Sequence, residues 1–392
     1  MDALETKLRT LSHLVRQSAL DRLAISMTRW RNQDAVAIVR VDAIGDFVIW
    51  LGAARRLCAR YRPRRIVLVA NRIVADLARS TGMFDEVVAV DTDAFAQDKA
   101  YRFDTLSRMR GLGAAIAVQP TYSRSYWIGD ALVRATGAPE RIGHDGDFNN
   151  IRPWQKHVSD RWYTRLVSSG PQPMHELERN AAFLRGLGDH NAEGRLAPLG
   201  PVVELPAALQ LSERYFIAVP GAGSARRMWP IARFAAVARA VSRANHLRLV
   251  ICGSPGETAL ATELAQRSGL EDALVLAGRT SLPELVEMIR RSALVLANES
   301  SAVHIAAAVG TPSVCLLGGG HFGRFMPYPP GCAEHAPIPI FVRMECFGCH
   351  WQCRLPHAPD GPFPCIEGIE ERAVLEAVGR CLASKRVTRC IT

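Results

Sequence analysis

Nine short runs of Val, Ile, Leu and Ala, none alternating with polar residues, recur along the chain at intervals of about 20–35 residues. Four lie in the first half, at Ala35–Val41, Arg65–Ala70, Glu86–Val90 and Ala114–Gln119. Five lie in the second, at Tyr215–Val219, Leu247–Cys252, Ala273–Ala277, Ala293–Ala297 and Ser313–Leu317. A strand buried on both faces reads this way, and each interval has room for a crossover helix. Two such βαβ series predict two doubly wound α/β domains, and 392 residues can bury both cores. The join is expected in Gly188–Ser212, where Gly194, Pro198, Gly200, Pro201 and Pro206 break any periodicity. In such folds ligands sit at the carboxyl ends of the strands, so the strand-to-helix loops are where chemistry is sought.

Composition narrows the classes. With 48% hydrophobic and 22% charged residues the chain is an ordinary globular one. Its 48 basic residues exceed its 38 acidic ones by ten, which favours phosphate-bearing or membrane-surface partners. No nucleic-acid-binding signature accompanies that charge, so nucleic acid is not expected as a partner. No apolar window reaches membrane-spanning length, and the charged stretch Met1–Arg9 does not read as a secretory signal. A cytoplasmic setting follows, in which the ten cysteines are reduced. Residues 1–34 read as an amphipathic helix, with Leu4, Leu8, Leu11, Val15, Leu23, Met27 and Trp30 at near-helical spacing among arginines. Such a helix packs on the body or on a second subunit, or lies on an anionic membrane.

Three loops could carry chemistry. The first runs from the end of a strand through Asp42, Gly45 and Asp46, placing Asp46 at a helix start as a cap or a general base. The second, opening the second domain, gathers Gly221, Gly223, Ser224, Arg226 and Arg227 before Trp229 and Pro230. Backbone amides and guanidinium forks of this kind bind phosphate. The third is Asn298-Glu299-Ser300-Ser301, leading into an Ala-rich helix with His304 on its first turn and Gly310 at its end, a further anion site. Gly253 and Glu257 follow another strand, where a carboxylate can accept from ribose hydroxyls.

In order, these loops spell R-x-D-x-I-G-D, P-G-A followed by W-P-x-x-R-F, A-G-x-T-S-L-x-E-L, and N-E-S-S-x-x-H-x-A-A-A-x-G-T-P. Tyr122-Ser123-Arg124-Ser125, Arg141-Ile142-Gly143-His144 and His175-Glu176-Leu177-Glu178-Arg179-Asn180 extend the pattern. Together, over about Val36 to Val378, the chain resembles family 9 of the glycosyltransferases, which includes the ADP-heptose:lipopolysaccharide heptosyltransferases. The resemblance implies the GT-B fold, with two Rossmann-like domains facing across a cleft. It also implies an inverting mechanism without a catalytic metal and a nucleotide-sugar held by the second domain. Asp46 matches the family's proposed base. Arg227 stands where most relatives carry a phosphate-binding Lys, Glu299 where they carry Asp, and Ser301 where they carry Gly. His304 matches the His beside the diphosphate, and Glu257 the region that meets the nucleoside. The implied donor is ADP-heptose and the implied acceptor a lipopolysaccharide core or related glycan. Alternatives are transfer to a protein hydroxyl, or a non-catalytic nucleotide-sugar-binding homologue. Peripheral contact with the inner face of the cytoplasmic membrane and self-association go with this reading.

Cys346, Cys349, Cys353 and Cys365 cluster within 20 residues. Four thiolates suit a tetrahedral structural Zn or a single Fe, with His350 or His357 as substitute ligands; the other reading is four reduced, unligated thiols. Autotransporter heptosyltransferases resemble this segment in holding iron in a cysteine finger. The expected organisation is the helix 1–34, an acceptor domain 35–190, a linker 191–212, a nucleotide-sugar domain 213–340, the cysteine segment 341–366, and a terminal helix and tail 367–392.

Overall fold

The computed structural model describes residues 16–168, 170 and 173–389. It contains two six-stranded sheets, every strand parallel to its neighbours. The first comprises β1 (Ala35–Arg40), β2 (Arg65–Asn71), β3 (Glu86–Val90), β4 (Ala114–Gln119), β5 (Glu140–His144) and β6 (Arg165–Val167), in the order β3-β2-β1-β4-β5-β6. The second comprises β7 (Tyr215–Val219), β8 (Arg248–Ile251), β9 (Leu274–Val275), β10 (Val295–Asn298), β11 (Ser313–Leu316) and β12 (Ile338–Ile340), in the order β12-β11-β10-β7-β8-β9. Read from its own first strand, each sheet has the doubly wound order 3-2-1-4-5-6.

Burial explains why the pattern was readable. Every residue of β1 and β7 is buried, because helices cover both faces of a parallel sheet. Side chains such as Val67, Val69, Phe95 and Leu132 fill the first core, and Phe216, Phe234, Leu249 and Leu296 the second. All nine expected strands are present, three with the expected ends and six with an end shifted by one or two residues. The sequence reading omitted β5, β6 and β12. The first contains Glu140, Arg141 and Gly143, and the other two have three residues each, too short for a run to register.

The chain divides into two compact units that interleave along the sequence. One runs to Ala43 and resumes over Ala53–Gly170 and Arg179–Ala192; the other takes Ile44–Gly52, Pro171–Glu178 and the chain from Glu193 on. The first turns of the helix Ile44–Tyr61 therefore belong to the unit containing the second sheet.

The helix expected over 1–34 is corrected by the structure. Residues 1–15 lie outside those described, and the helix present covers 16–27, followed by coil to β1. Its buried face is also not the expected apolar stripe. Gln17, Asp21 and Ala24 point inward, while Leu23 and Met27 are exposed. The cause is an ion pair. Asp21 accepts from Arg102 Nε and Nη2, both at 2.7 Å, and both side chains are almost wholly buried. That bidentate contact fixes which face turns inward. Trp30, beyond the helix, donates its Nε1 hydrogen to the Ala114 carbonyl. No helix among the described residues is long and apolar enough to cross a membrane.

Candidate active site

The loops after β7 and β10 are joined by one buried side chain. Asn298, the last residue of β10, donates from Nδ2 to the Pro220 carbonyl (2.5 Å) and accepts at Oδ1 from the Trp229 amide (3.1 Å). The sequence motif contained Asn298, but no role was assigned to it. Strand pairing alone places the carboxyl ends of β7 and β10 side by side, and the amide locks their loops together.

Next to this tie, Arg227 Nη2 lies 3.5 Å from Glu299 Oε2. Burial pushes the Glu299 carboxyl up to about 7, and Arg227 only partly offsets it. Two donors here, Arg227 Nε and Ser300 Oγ, are buried without a hydrogen-bond partner among the described residues, and Glu299 Oε2 has only its contact with Arg227. Buried polar atoms are normally satisfied, so a cluster of orphans in one spot points to a missing ligand. Ser300 is the cap residue of the helix Ser301–Val309, and no side chain caps that end. Its first amides are thus available to an anion.

His304 is buried on this helix, with Nδ1 2.8 Å from the Tyr328 hydroxyl and its ring stacked on Tyr328. Burial, with a smaller contribution from His175, lowers its pKa to about 3. It is therefore a neutral imidazole at physiological pH and supplies no positive charge to a diphosphate. A Cβ on Gly45 would lie 3.1 Å from His304 Cδ2, so a larger residue fits only if the imidazole gives by a few tenths of an ångström. Asp46 follows Gly45, partly exposed in the first turn of Ile44–Tyr61, whose cap residue is Ala43. The first and third loops thus meet at Gly45 and His304.

Glu257 has a structural task alongside its expected one. Its Oε2 accepts from the Ser254 amide (2.6 Å) and hydroxyl (2.8 Å), closing a capping box. A Cβ on Gly221 would collide with Glu257 Oε1, so that glycine lets the carboxylate reach the β7 loop. Gly223, Ser224 and Arg226 are exposed on the same loop, and Gly253 lies against Glu257.

Trp351 went unnoticed in the sequence. Arg227 lies over its ring, 4.1 Å from the guanidinium carbon to the centroid. The ring covers Gly318 and Gly320 after β11, where any Cβ would strike it. Cys346, Cys349, Cys353 and Cys365 line one small cavity with Trp351 and Phe363. Burial raises the pKa of the Cys365 thiol, and the three other thiols add to the effect. As the side chains stand, no group of three or more His, Cys, Asp or Glu among the described residues is arranged to hold a metal ion.

The carboxyl edge of the first sheet is polar and largely cross-linked, though Arg124 Nε and Asn180 Nδ2 are buried without a hydrogen-bond partner among the described residues. Thr121 Oγ1 donates to Asp42 (3.0 Å) and Ser123 Oγ to Asp147 (2.9 Å), while Arg40 lies 3.3 Å from Asp42. Behind them Arg124 pairs with Asp160 under the Tyr163 ring.

With this geometry in hand, known proteins were compared. The family model for Glycosyltransferase family 9 (heptosyltransferase) matches residues 130–333. A lipopolysaccharide heptosyltransferase 3 of Escherichia coli is 29% identical over 201 residues, covering 49% of this chain and 56% of that protein. The match thus spans little more than half of that relative's length. Among solved structures, the E. coli ADP-heptose LPS heptosyltransferase II is similar with a TM-score of 0.64 at 18% identity, covering 90% of this chain and 99% of that one. The dodecameric iron-containing heptosyltransferase TibC of enterotoxigenic E. coli, solved with ADP-D-beta-D-heptose, has a TM-score of 0.54 at 14% identity, covering 91% and 78%. These structures bear out the expected GT-B fold class.

Proposed function

The chain belongs to glycosyltransferase family 9, and from that premise we propose that it transfers heptose from ADP-heptose to a hydroxyl of a lipopolysaccharide core or related glycan, with inversion. The observation that carries the reading is the pair of buried donors without a hydrogen-bond partner, Arg227 Nε and Ser300 Oγ, beside an uncapped helix end. A donor diphosphate supplies the acceptors that Arg227 Nε, Ser300 Oγ and the first amides of Ser301–Val309 lack. As the sugar leaves, negative charge grows on the phosphate, and these fixed donors stabilise it without reorganising. Ser224 and Arg226, on the same loop, add a hydroxyl and a second cation. Asp46 takes the acceptor hydroxyl's proton as the new bond forms at the anomeric carbon. His304, neutral and held by Tyr328, orients the meeting point of the two loops.

Glu299 decides how tightly the diphosphate is held. Protonated, it can donate to a phosphate oxygen; ionised, it repels the phosphate and competes for Arg227. A basic residue, a hydroxyl and helix amides together provide the charge compensation that a catalytic metal supplies elsewhere. Transfer is therefore expected to survive chelation.

The four cysteines fit a structural metal by their chemistry, since four thiols share one cavity. Cys346, Cys349, Cys353 and Cys365 would hold Zn or Fe there, bracing the segment that carries Trp351 beneath Arg227. About one such metal per chain is expected in protein purified without chelator, as a four-thiolate site is filled by one ion. Its absence under reducing conditions removes this part of the reading.

Calorimetry with ADP and ADP-heptose, followed by transfer to a heptose-deficient core acceptor, tests the whole. Binding of both nucleotides with turnover supports it. Donor binding without turnover or hydrolysis favours a non-catalytic homologue, and failure to bind ADP overturns the donor assignment.

A further inference from the structure

A second concavity lies at the opposite edge of the first sheet. Between the amino ends of β4, β5 and β6 and the segment around Trp30, a cavity of about 740 Å³ is lined by Arg22, Arg29, Arg110, Arg134, Arg141 and Arg161. All strands of this sheet are parallel, so these amino ends face away from the loops that bind substrate in such folds. Among the described residues none of the six arginines has a carboxylate within ion-pair distance. Of the acids adjacent to them in sequence, Asp21 is committed to Arg102 and Asp160 to Arg124 and Lys156, while Glu140, beside Arg141, is exposed.

What the guanidiniums do touch leaves their charge unopposed. Arg141 donates to the Trp162 and Ala138 carbonyls, and Arg134 lies 4.7 Å above the Trp162 ring. Arg110 Nε is buried without a partner. Burial and the nearby Arg22 push the pKa of Arg134 down, and burial does the same for Arg141. Like charges gathered in a concavity repel one another, and the fold tolerates this where an anion completes the site. Guanidinium forks match phosphate oxygens.

The rim adds a second observation. Leu23 and Met27, four residues apart on one helix face, are 52% and 69% exposed, and Met27 borders the cavity. Trp154, 45% exposed, packs through Tyr126 toward Trp162. Apolar side chains around a basic cavity are what an interfacial surface needs: phosphate binds the arginines while the apolar groups enter the acyl boundary.

We propose that this cavity is a headgroup site for anionic phospholipid, docking the first sheet by its amino edge on a negatively charged membrane. A free polyphosphate would share the phosphate chemistry but would leave Leu23, Met27 and Trp154 without a role.

Sedimentation of the full chain with vesicles tests this, comparing phosphatidylcholine alone with phosphatidylcholine containing phosphatidylglycerol, and inorganic pyrophosphate as the soluble anion. Binding to the anionic vesicles alone is expected. The triple variant Arg22→Ala, Arg29→Ala, Arg161→Ala removes three exposed cations and should weaken it on the order of a hundredfold. Leu23→Ser with Met27→Ser should also weaken vesicle binding while leaving pyrophosphate binding intact. Unchanged melting temperatures establish that the variants are folded. Equal binding to neutral vesicles, or a triple variant that binds like the parent, overturns the proposal. Pyrophosphate binding that the triple variant abolishes, without vesicle binding, or no effect of the Leu23 and Met27 changes, assigns the cavity to a soluble anion and overturns the lipid assignment. Each reading is a difference between the parent and variants that leave Arg227 and Ser300 intact, so the test is independent of the proposed transferase activity.

Discussion

The two sheets have the same strand order, yet they distribute charge over their edges differently. In the second, orphaned polar atoms gather at the carboxyl ends of β7 and β10. In the first, the carboxyl edge is cross-linked through Thr121, Asp42, Ser123 and Asp147 but also leaves Arg124 Nε and Asn180 Nδ2 buried without a hydrogen-bond partner among the described residues, and a further group of cations gathers at the amino edge. Topology therefore sets where loops converge, while sequence decides which convergence is left incomplete for a ligand. A doubly wound sheet offers two edges, and the first sheet of this chain gathers charge at both.

That contrast can be broken from either side. The largest effect is expected at Asp46. Asp46→Asn should keep the fold and nucleotide binding while lowering transfer about 10²–10⁴-fold, the usual range for loss of a general base. Steady-state rates measured beside ADP affinity check this, and a loss of only a few fold returns Asp46 to a helix-start role.

On the other side, Asp21→Ala leaves Arg102 buried and unpaired. Removing one partner of a buried pair costs about 3–5 kcal/mol. Urea unfolding should show that loss, and the helix over 16–27, which carries Arg22 and Met27, should become accessible to protease first. Equal stability of the variant would mean that Arg102 does not set the helix's inward face.

Arg227→Ala should weaken ADP and donor binding alike, by about 1.5–3 kcal/mol for a charge-assisted contact. Calorimetry on a folded variant decides it, and unchanged affinity transfers the role to Arg226.

The smallest effect sharpens the comparison through pH. The Glu299 carboxyl is pushed up to about 7 from an ordinary 4.5, so the folded chain binds a proton that the unfolded chain has released. Its contribution to stability is fully present below about 4.5 and is lost as pH rises through 7. Diphosphate affinity should fall over the same rise, by at most about tenfold per pH unit. Glu299→Gln should flatten both profiles, seen in melting temperature and ADP affinity between pH 5 and pH 8.

The strands were legible because burial on both faces writes an uninterrupted apolar run, as in β1 and β7. Where a strand lies near a sheet edge and carries Glu140 and Arg141, or spans three residues, that signature vanishes. The loops of the candidate site were legible because each is local. Their coupling was not, since Arg227 and Glu299 are separated by 72 positions and meet only through adjacent strands. Trp351 gave no signal beyond lying among the cysteines, and its place beneath Arg227 follows from how that segment folds back on Gly318 and Gly320. The amino-edge arginines come from separate helices, a strand and coil, and only the fold brings them together. Residues 23 and 27 even misled, because helical spacing cannot reveal that Asp21 claims the inward face.

The Asn298 side chain has a mechanical consequence. Bonded at one atom to the β7 loop's carbonyl and at the other to its amide, it makes two loops, about 75 residues apart in sequence, a single stiff body. A ligand arriving there meets groups already in position and has little chain freedom left to quench, so affinity is not spent on ordering the loops. Opening becomes cooperative as well: the amides around Gly221 and those around Ser301 should exchange with solvent in one concerted event.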